Sequence, residues 1–270
     1  MAATDASSTF VASSGEGYEL LMGRWSRRLA EPFLDFSGCA DGERVLDAGC
    51  GTGNLAFALA GRCNVDSIQG IDFSAVYVKE AAAKNDDPRI AFREGDICAL
   101  PYGDATFDRV LSLLVLHFVP NGAKAVSEMR RVARPGATVA ATVWDARGGL
   151  VANRMYFDAA AALNPKGNER RARNFTRPMT RPGELAAAWR AAGLKDVREA
   201  ELLIRMQFVS FDDYWAPYLG KDGPGAEYMA TLNEREREQL QEAVRNAYLD
   251  GEGDGPRSYA AIAWAVAGIA

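Results

Sequence analysis

The residues that could do chemistry gather in the first half of this chain of 270 residues. "LDAGCGTG" sets Asp47 ahead of Gly49, Gly51 and Gly53; Asp72 follows in "GIDFS", Asp96 in "EGDI", and His117, the only histidine, in "SLLVLHFVPN". Glycines at that spacing let the backbone take positive φ and approach a ligand without a Cβ in the way. The helix expected after them presents free N–H groups, so the corner can receive an anion or a ligand carboxylate. An acidic residue about 20 positions beyond such a corner can accept hydrogen bonds from both hydroxyls of a ribose, which is the place of Asp72. Asp96 is placed for the exocyclic amine of an adenine. His117 has an ordinary pKa of about 6.5 and could take a proton from an acceptor hydroxyl or amine, or only line a pocket.

These groups act together only if the elements between them bring them to one edge. "RVLDA", "SIQGID", "IAFREGD", "FDRVLSLL" and "ATVAATVW" read as strands, separated by helices at "LAFALAGRC", "SAVYVKEAAAKN" and "NGAKAVSEMRRVA", with a Pro135-Gly136 turn before the last of them. Such alternation predicts a parallel sheet with helices on both faces. Asp72 would end the second strand, Asp96 the third, and Leu113 and Leu114 the fourth, so all open on the crevice at the carboxyl ends of the strands. Ahead of them, Leu21, Trp25, Leu29 and Phe33 recur every four residues as one helical face. Beyond Asp145 the rhythm changes. Residues 146–180 predict a helix and a loop, "RPGELAAAWRAAGL" a helix opened by Pro182 and closed by Gly193, and "VREAELLIRMQFVS" a strand. From Phe211 to Leu249 comes a helical insertion with a capping-box start at Asn233 and Glu236 and an apolar stripe of Leu240, Ala243, Val244 and Ala247. The closing "YAAIAWAVAGIA" reads as a buried strand.

Composition fits an ordinary globular chain: 48% hydrophobic, 25% charged. A net charge of −5 argues against a surface that attracts phosphate backbones as a whole. No apolar run reaches the roughly 18 residues of a membrane span, and the N-terminus does not read as a secretory signal. Cys39, Cys50, Cys63 and Cys98 lack zinc-site or redox spacing, so the expectation is reduced thiols in a cytoplasm and no metal.

Taken in order, "VLDAGCGTGN", "GIDFS", "EGDICALPYGDATFD", "VLSLLVLHFVP" and "RRVARPGATV" resemble the class I S-adenosylmethionine-dependent methyltransferases, over residues 44–145. "YELLMGRWSR" and "FDDYWAPYL" are similar to a bacterial branch of the same family. The resemblance implies a Rossmann-like α/β fold with a seven-stranded, mostly parallel sheet, its last strand antiparallel, and a helical lid. It implies a tail over 1–17 and one domain over 18–270: a lid helix over 18–40, a cofactor-binding core over 41–145, and lid insertions over 146–180 and 211–250. It implies that Gly49, Gly51 and Gly53 line the methionine part of S-adenosylmethionine, that Asp72 holds the ribose, that Asp96 and the Ile97 backbone meet the adenine, and that Leu113 lies near the cofactor. Asp47 orders the glycine loop or meets the ammonium through a water. Tyr18 and Arg24, from the N-terminal helix, would close over the cofactor, Arg24 forking onto its carboxylate, and Tyr18 would be the partner of His117 if that ring acts as a base. A nicotinamide dinucleotide is the rival cofactor, but its fingerprint is G-x-G-x-x-G and this corner is G-x-G-x-G.

The implied activity is methyl transfer to an oxygen, nitrogen or carbon of a small molecule. Trp144 and Asp145 are expected at the mouth, and Tyr156, Phe157, Trp215 and Tyr218 above it as roof or as packing. Lys166, Arg170, Arg171, Arg173, Arg177 and Arg181 read as a solvated face, with an acidic substrate or RNA as the alternatives. A cofactor-binding regulator without turnover and an RNA-modifying methyltransferase remain the rival functions. The Asn-Pro-Pro-Tyr-type motif of nucleic-acid amine methyltransferases is missing where "SLLVLH" stands.

Overall fold

The computed structural model describes residues 8–10 and 15–270; the rest of the expected tail, residues 1–7 and 11–14, lies outside them. A short helix α1 (Gly15–Tyr18) passes through a π-helical turn, Glu19–Gly23, into α2 (Arg24–Ser37). Trp25, Leu29 and Phe33 are buried along one face of α2, as their four-residue spacing requires, and that face packs on the sheet and its covering helix. The core then alternates through β1 (Arg44–Ala48), α3 (Asn54–Arg62), β2 (Ser67–Asp72), α4 (Ala75–Lys84), β3 (Ile90–Glu94), β4 (Phe107–Leu113), α5 (Gly122–Val132) and β5 (Ala133–Trp144). After it come α6 (Val151–Leu163), α7 (Pro165–Phe175), α8 (Glu184–Ala191), β6 (Lys195–Phe208), α9 (Phe211–Trp215), α10 (Gly223–Ala230), α11 (Glu234–Leu249) and β7 (Arg257–Ile269).

The strands form one seven-stranded sheet in the order β3-β2-β1-β4-β5-β7-β6. Pairing is parallel from β3 through β5, and only β7 is reversed, antiparallel to both β5 and β6. The reversed last strand expected from the sequence is therefore present. Chain order changes direction between β1 and β4, and a crevice opens at the carboxyl ends of strands on either side of such a switch. One face of the sheet packs on α5 and α8 through Val126, Met129, Leu185 and Trp189, and the other on α2, α3 and the helical roof.

Side-chain caps set several helix starts. Ser74, Asn121 and Asn164 accept from the backbone N–H groups of Tyr77, Lys124 and Gly167, and Asn233 with Glu236 forms the expected capping box. Other expectations need correction. The insertion over 146–180 holds two helices, because Asn164-Pro165 ends α6 and starts α7. The Pro135-Gly136 turn lies inside β5, where register jumps from Phe107↔Ala133 to Arg109↔Thr138. The buried stripe of α11 is Leu240, Val244 and Tyr248, while Ala243 and Ala247 are exposed. The cysteines are not all free thiols. Cys39, beyond α2, is bonded to Cys63 at the end of α3, with Cα atoms 6.4 Å apart, and only Cys50 and Cys98 are free. Packing of α2 on α3 brings the two together, which their separation of 24 residues could not reveal.

Candidate active site

The switch between β1 and β4 opens into a cavity of about 180 Å³. Gly49, Gly51, Asp72, Asp96, Ile97 and Leu113 line it from the sheet side, and Tyr18, Trp25, Tyr214 and Tyr218 from the roof. Gly49 has φ +85°, and a Cβ on it would lie 2.3 Å from Cγ2 of Val115. Backbone N–H groups of Gly49 and Cys50 both donate to the Ile71 carbonyl, tying the corner to the end of β2. The Gly51 N–H donates to Asp72 Oδ2 at 2.9 Å, and the Ser74 N–H to Asp72 Oδ1 at 2.9 Å. Burial raises the Asp72 pKa while these two N–H groups oppose the rise. A carboxylate has about four lone-pair sites, so two stay available on Asp72 for a ligand's hydroxyls.

Asp47 and Gly53 support this surface without lining it. Gly53, at φ +88°, is the residue before α3. Asp47 is 1% exposed, and neither of its carboxylate oxygens has a hydrogen-bond partner. Burial, then the neighbouring Asp72 charge, pushes its pKa up to about 7, with the Ala56 backbone N–H opposing the rise. Asp96 sits two residues past the end of β3, where its Oδ1 accepts from the Cys98 N–H at 2.8 Å and holds the loop turned toward the cavity.

His117 lies in a 3-10 turn, Leu116–Phe118, directly after β4, and lines the cavity at 5% exposure. Its Nδ1 has no partner, and burial, then the Arg177 guanidinium, lowers its pKa well below 6.5. The ring is therefore neutral across the physiological range. Tyr18 stands apart from it, over Gly51 and 5.0 Å from the Tyr77 ring. The Phe10 ring contacts both Tyr18 and Phe118, and no hydrogen bond joins Tyr18 to His117 among the described residues. Burial pushes the Tyr18 hydroxyl up to about 12, so it stays a donor at neutral pH.

Arg24, expected to fork onto the cofactor carboxylate, is engaged elsewhere in this structure. It opens α2 on the side facing α9, where its guanidinium pairs with Asp213 at 2.8 Å and lies over the Trp25 ring, away from the cavity lining. Asp145 accepts from the Arg147 and Gly148 N–H groups of its own loop and does not line the cavity, whereas Trp144 does. Tyr156, Phe157 and Trp215 are packing residues of the roof; Tyr218, stacked on Tyr156 at 3.9 Å, reaches the cavity.

Several further residues line the cavity, of which the sequence reading singled out only Arg177, as part of the basic run. Phe10 reaches in because Thr9 donates its N–H to the Phe118 carbonyl at 2.9 Å. Phe208 and Tyr214 come from the end of β6 and from α9, Asn174 from the last turn of α7, and Arg177 from the loop after it. The aromatic density of "FDDYWAPYL" hinted at Tyr214 and the basic run at Arg177; nothing pointed to the others.

Strand order, reversed last strand and a glycine corner facing acidic strand ends define a Rossmann-like methyltransferase fold. A methyltransferase domain model matches residues 46–141. The chain is 34% identical over 163 residues to demethylmenaquinone methyltransferase of Roseiflexus sp., covering 57% of this chain and 68% of that protein. It is 32% identical over 176 residues to 27-O-demethylrifamycin SV methyltransferase of Amycolatopsis mediterranei, covering 57% of this chain and 64% of that one. The solved YcgJ protein of Bacillus subtilis superposes with a TM-score of 0.60 at 17% identity, over 90% of this chain and 97% of YcgJ. The chain belongs to the class I S-adenosylmethionine-dependent methyltransferase family.

Proposed function

We propose that this chain binds S-adenosylmethionine along the glycine corner and transfers its methyl group to a small molecule held under the helical roof. The observation that carries this reading is a set of buried polar groups around one cavity whose hydrogen-bonding capacity the chain itself leaves unused. Tyr77 Oη and His117 Nδ1, both in the cavity lining, are without partners, and Asp47, outside the lining and beneath the glycine corner, keeps both oxygens unpaired. Buried polar groups are rarely left so unless a ligand or water meets them.

In this reading Gly49 and Gly51 receive the methionine part, with Gly53 shaping the turn. Asp72 accepts from the ribose hydroxyls, Asp96 and the Ile97 backbone meet the adenine, and Leu113 packs beside them. Tyr18 closes over the corner as a hydroxyl donor. Asp47 supplies negative potential beneath the glycine loop, within reach of the cofactor ammonium through a water. Bound S-adenosylmethionine supplies a methyl group already activated on a sulfonium, so the protein's work is alignment and exclusion of water. The aromatic roof does both. His117, neutral and buried, shapes the acceptor side and can accept a hydrogen bond there.

A small acceptor is favoured over RNA because much of the basic run is already neutralised: Arg170 pairs with Glu227, Arg171 with Asp158 and Arg181 with Glu184. The test is incubation with methyl-labelled S-adenosylmethionine and a metabolite extract, followed by mass identification of the labelled product. A labelled small molecule is expected. Cofactor binding without any labelled product would replace this reading with that of a regulator.

A further inference from the structure

One cation of the basic run differs from the rest. Arg177 lines the cavity, its guanidinium carbon 4.3 Å from the Phe118 ring centroid, and the His117 ring lies tilted against the same ring with centroids 4.1 Å apart. No carboxylate lies within ion-pair distance of it among the described residues. Glu227, whose charge reaches it, is held by Arg170. Burial, then the like charge of Arg170, brings the Arg177 pKa down to about 10. Placing a guanidinium in such surroundings is costly unless an anion meets it.

Its neighbours are suited to that anion. Asn174, three residues earlier on α7, is 6% exposed, lines the same cavity, and makes no side-chain hydrogen bond among the described residues. Asn153 of α6 also lines it. The Arg177 guanidinium lies over the Phe118 ring, and its fork of N–H donors suits a flat, two-oxygen anion. Phe118 forms an apolar wall beside Arg177, and Trp144, Pro217 and Tyr218 are among the other lining residues of the cavity. The cavity lining therefore carries both signs of charge, Asp72 and Asp96 at the glycine corner and the strand ends and Arg177 beside Phe118 and His117.

We infer that Arg177 and Asn174 form an oxyanion receptor, and that the acceptor is an apolar, flat molecule bearing a carboxylate or an equally delocalised anionic oxygen. This rests on the reading of the cavity as a methyltransferase site, because it assigns the cofactor to Asp72 and Asp96 and the acceptor to Arg177. Arg177 is thus a specificity-determining residue, and its neighbours Arg170 and Arg171 are structural.

The experiment is calorimetric titration of 2-naphthoate and 4-hydroxybenzoate, each beside its uncharged carboxamide, into the full chain with and without saturating S-adenosylhomocysteine. The acids should bind at least tenfold more tightly than the amides, Arg177→Gln should erase that preference, and Arg177→Lys should keep part of it. S-adenosylhomocysteine affinity should stay within twofold of wild type in both variants. Equal binding of acids and amides, no binding by any of the four, or an unchanged preference in Arg177→Gln overturns the inference. Failure of S-adenosylhomocysteine to bind the wild-type chain would instead strike the cofactor reading, and the titrations made without it would still read the charge preference.

Discussion

Replacing Asp47 by Asn should make the ligand-free protein more stable, by an amount that grows with pH. The Asp47 carboxyl is 1% exposed, its oxygens are unpartnered, and its pKa moves from 3.8 to about 7 on folding. The sign follows from proton binding. Between those two values the folded chain holds a proton that the unfolded chain has released, so stability falls as pH rises and levels off above the folded pKa. At about 1.4 kcal/mol for each pH unit, the whole loss is about 4 kcal/mol, of which roughly 3 falls between pH 5 and 8. Asn has the same shape and no charge. Its buried amide adds an offset of about 1–3 kcal/mol that does not vary with pH. Urea unfolding of wild type and Asp47→Asn at half-unit intervals from pH 5 to 8.5 isolates the effect, because all other titrations are common to both chains. The variant's stability relative to wild type should climb by about 3 kcal/mol across the range. A difference that stays level would mean that Asp47 is not a strained carboxylate, and the account of the glycine corner would lose its electrostatic basis.

His117 has the opposite sign. Its folded pKa lies below the unfolded value of 6.5, so wild type should lose stability relative to His117→Phe as pH falls below about 6.5, and a level difference between pH 7.5 and 5 would show a solvated ring. Gly49→Ala must hold a side chain at φ +85° and 2.3 Å from Val115, which should cost roughly 2–5 kcal/mol and abolish S-adenosylhomocysteine binding; Val115→Ala in the same chain should restore part of both. Under denaturing, non-reducing conditions the chain should show two titratable thiols, Cys50 and Cys98. Four would contradict the Cys39–Cys63 bond, and if the bond is present, Cys63→Ser should lower stability by about 3 kcal/mol.

What could be read from the sequence was what depends on neighbours along the chain. Asp47, the three glycines and Asp72 take their places because a strand, a tight corner and a second parallel strand follow one another with little freedom. The reversed β7 came from the family resemblance, since nothing in "YAAIAWAVAGIA" sets strand direction. The directions of Arg24 and Arg177 could not be read from the sequence for one reason: each depends on distant residues. Asp213, 189 positions on, captures Arg24, and the Phe118 ring turns Arg177 into the cavity. The Cys39–Cys63 bond hid in the same way, because two helix ends meet only after α2 has packed on α3. Aromatic residues of the roof were visible as a cluster, but which of them face inward depends on how α6, α9 and the turn after it stack.

The most direct test of the central claim is calorimetric titration of S-adenosylhomocysteine into the purified chain and into Asp72→Ala. One site per chain in wild type, weakened at least tenfold in the variant while its circular dichroism is unchanged, is the expected result. No heat of binding to wild type at millimolar ligand, or equal affinity in the two chains, would contradict the assignment of this cavity.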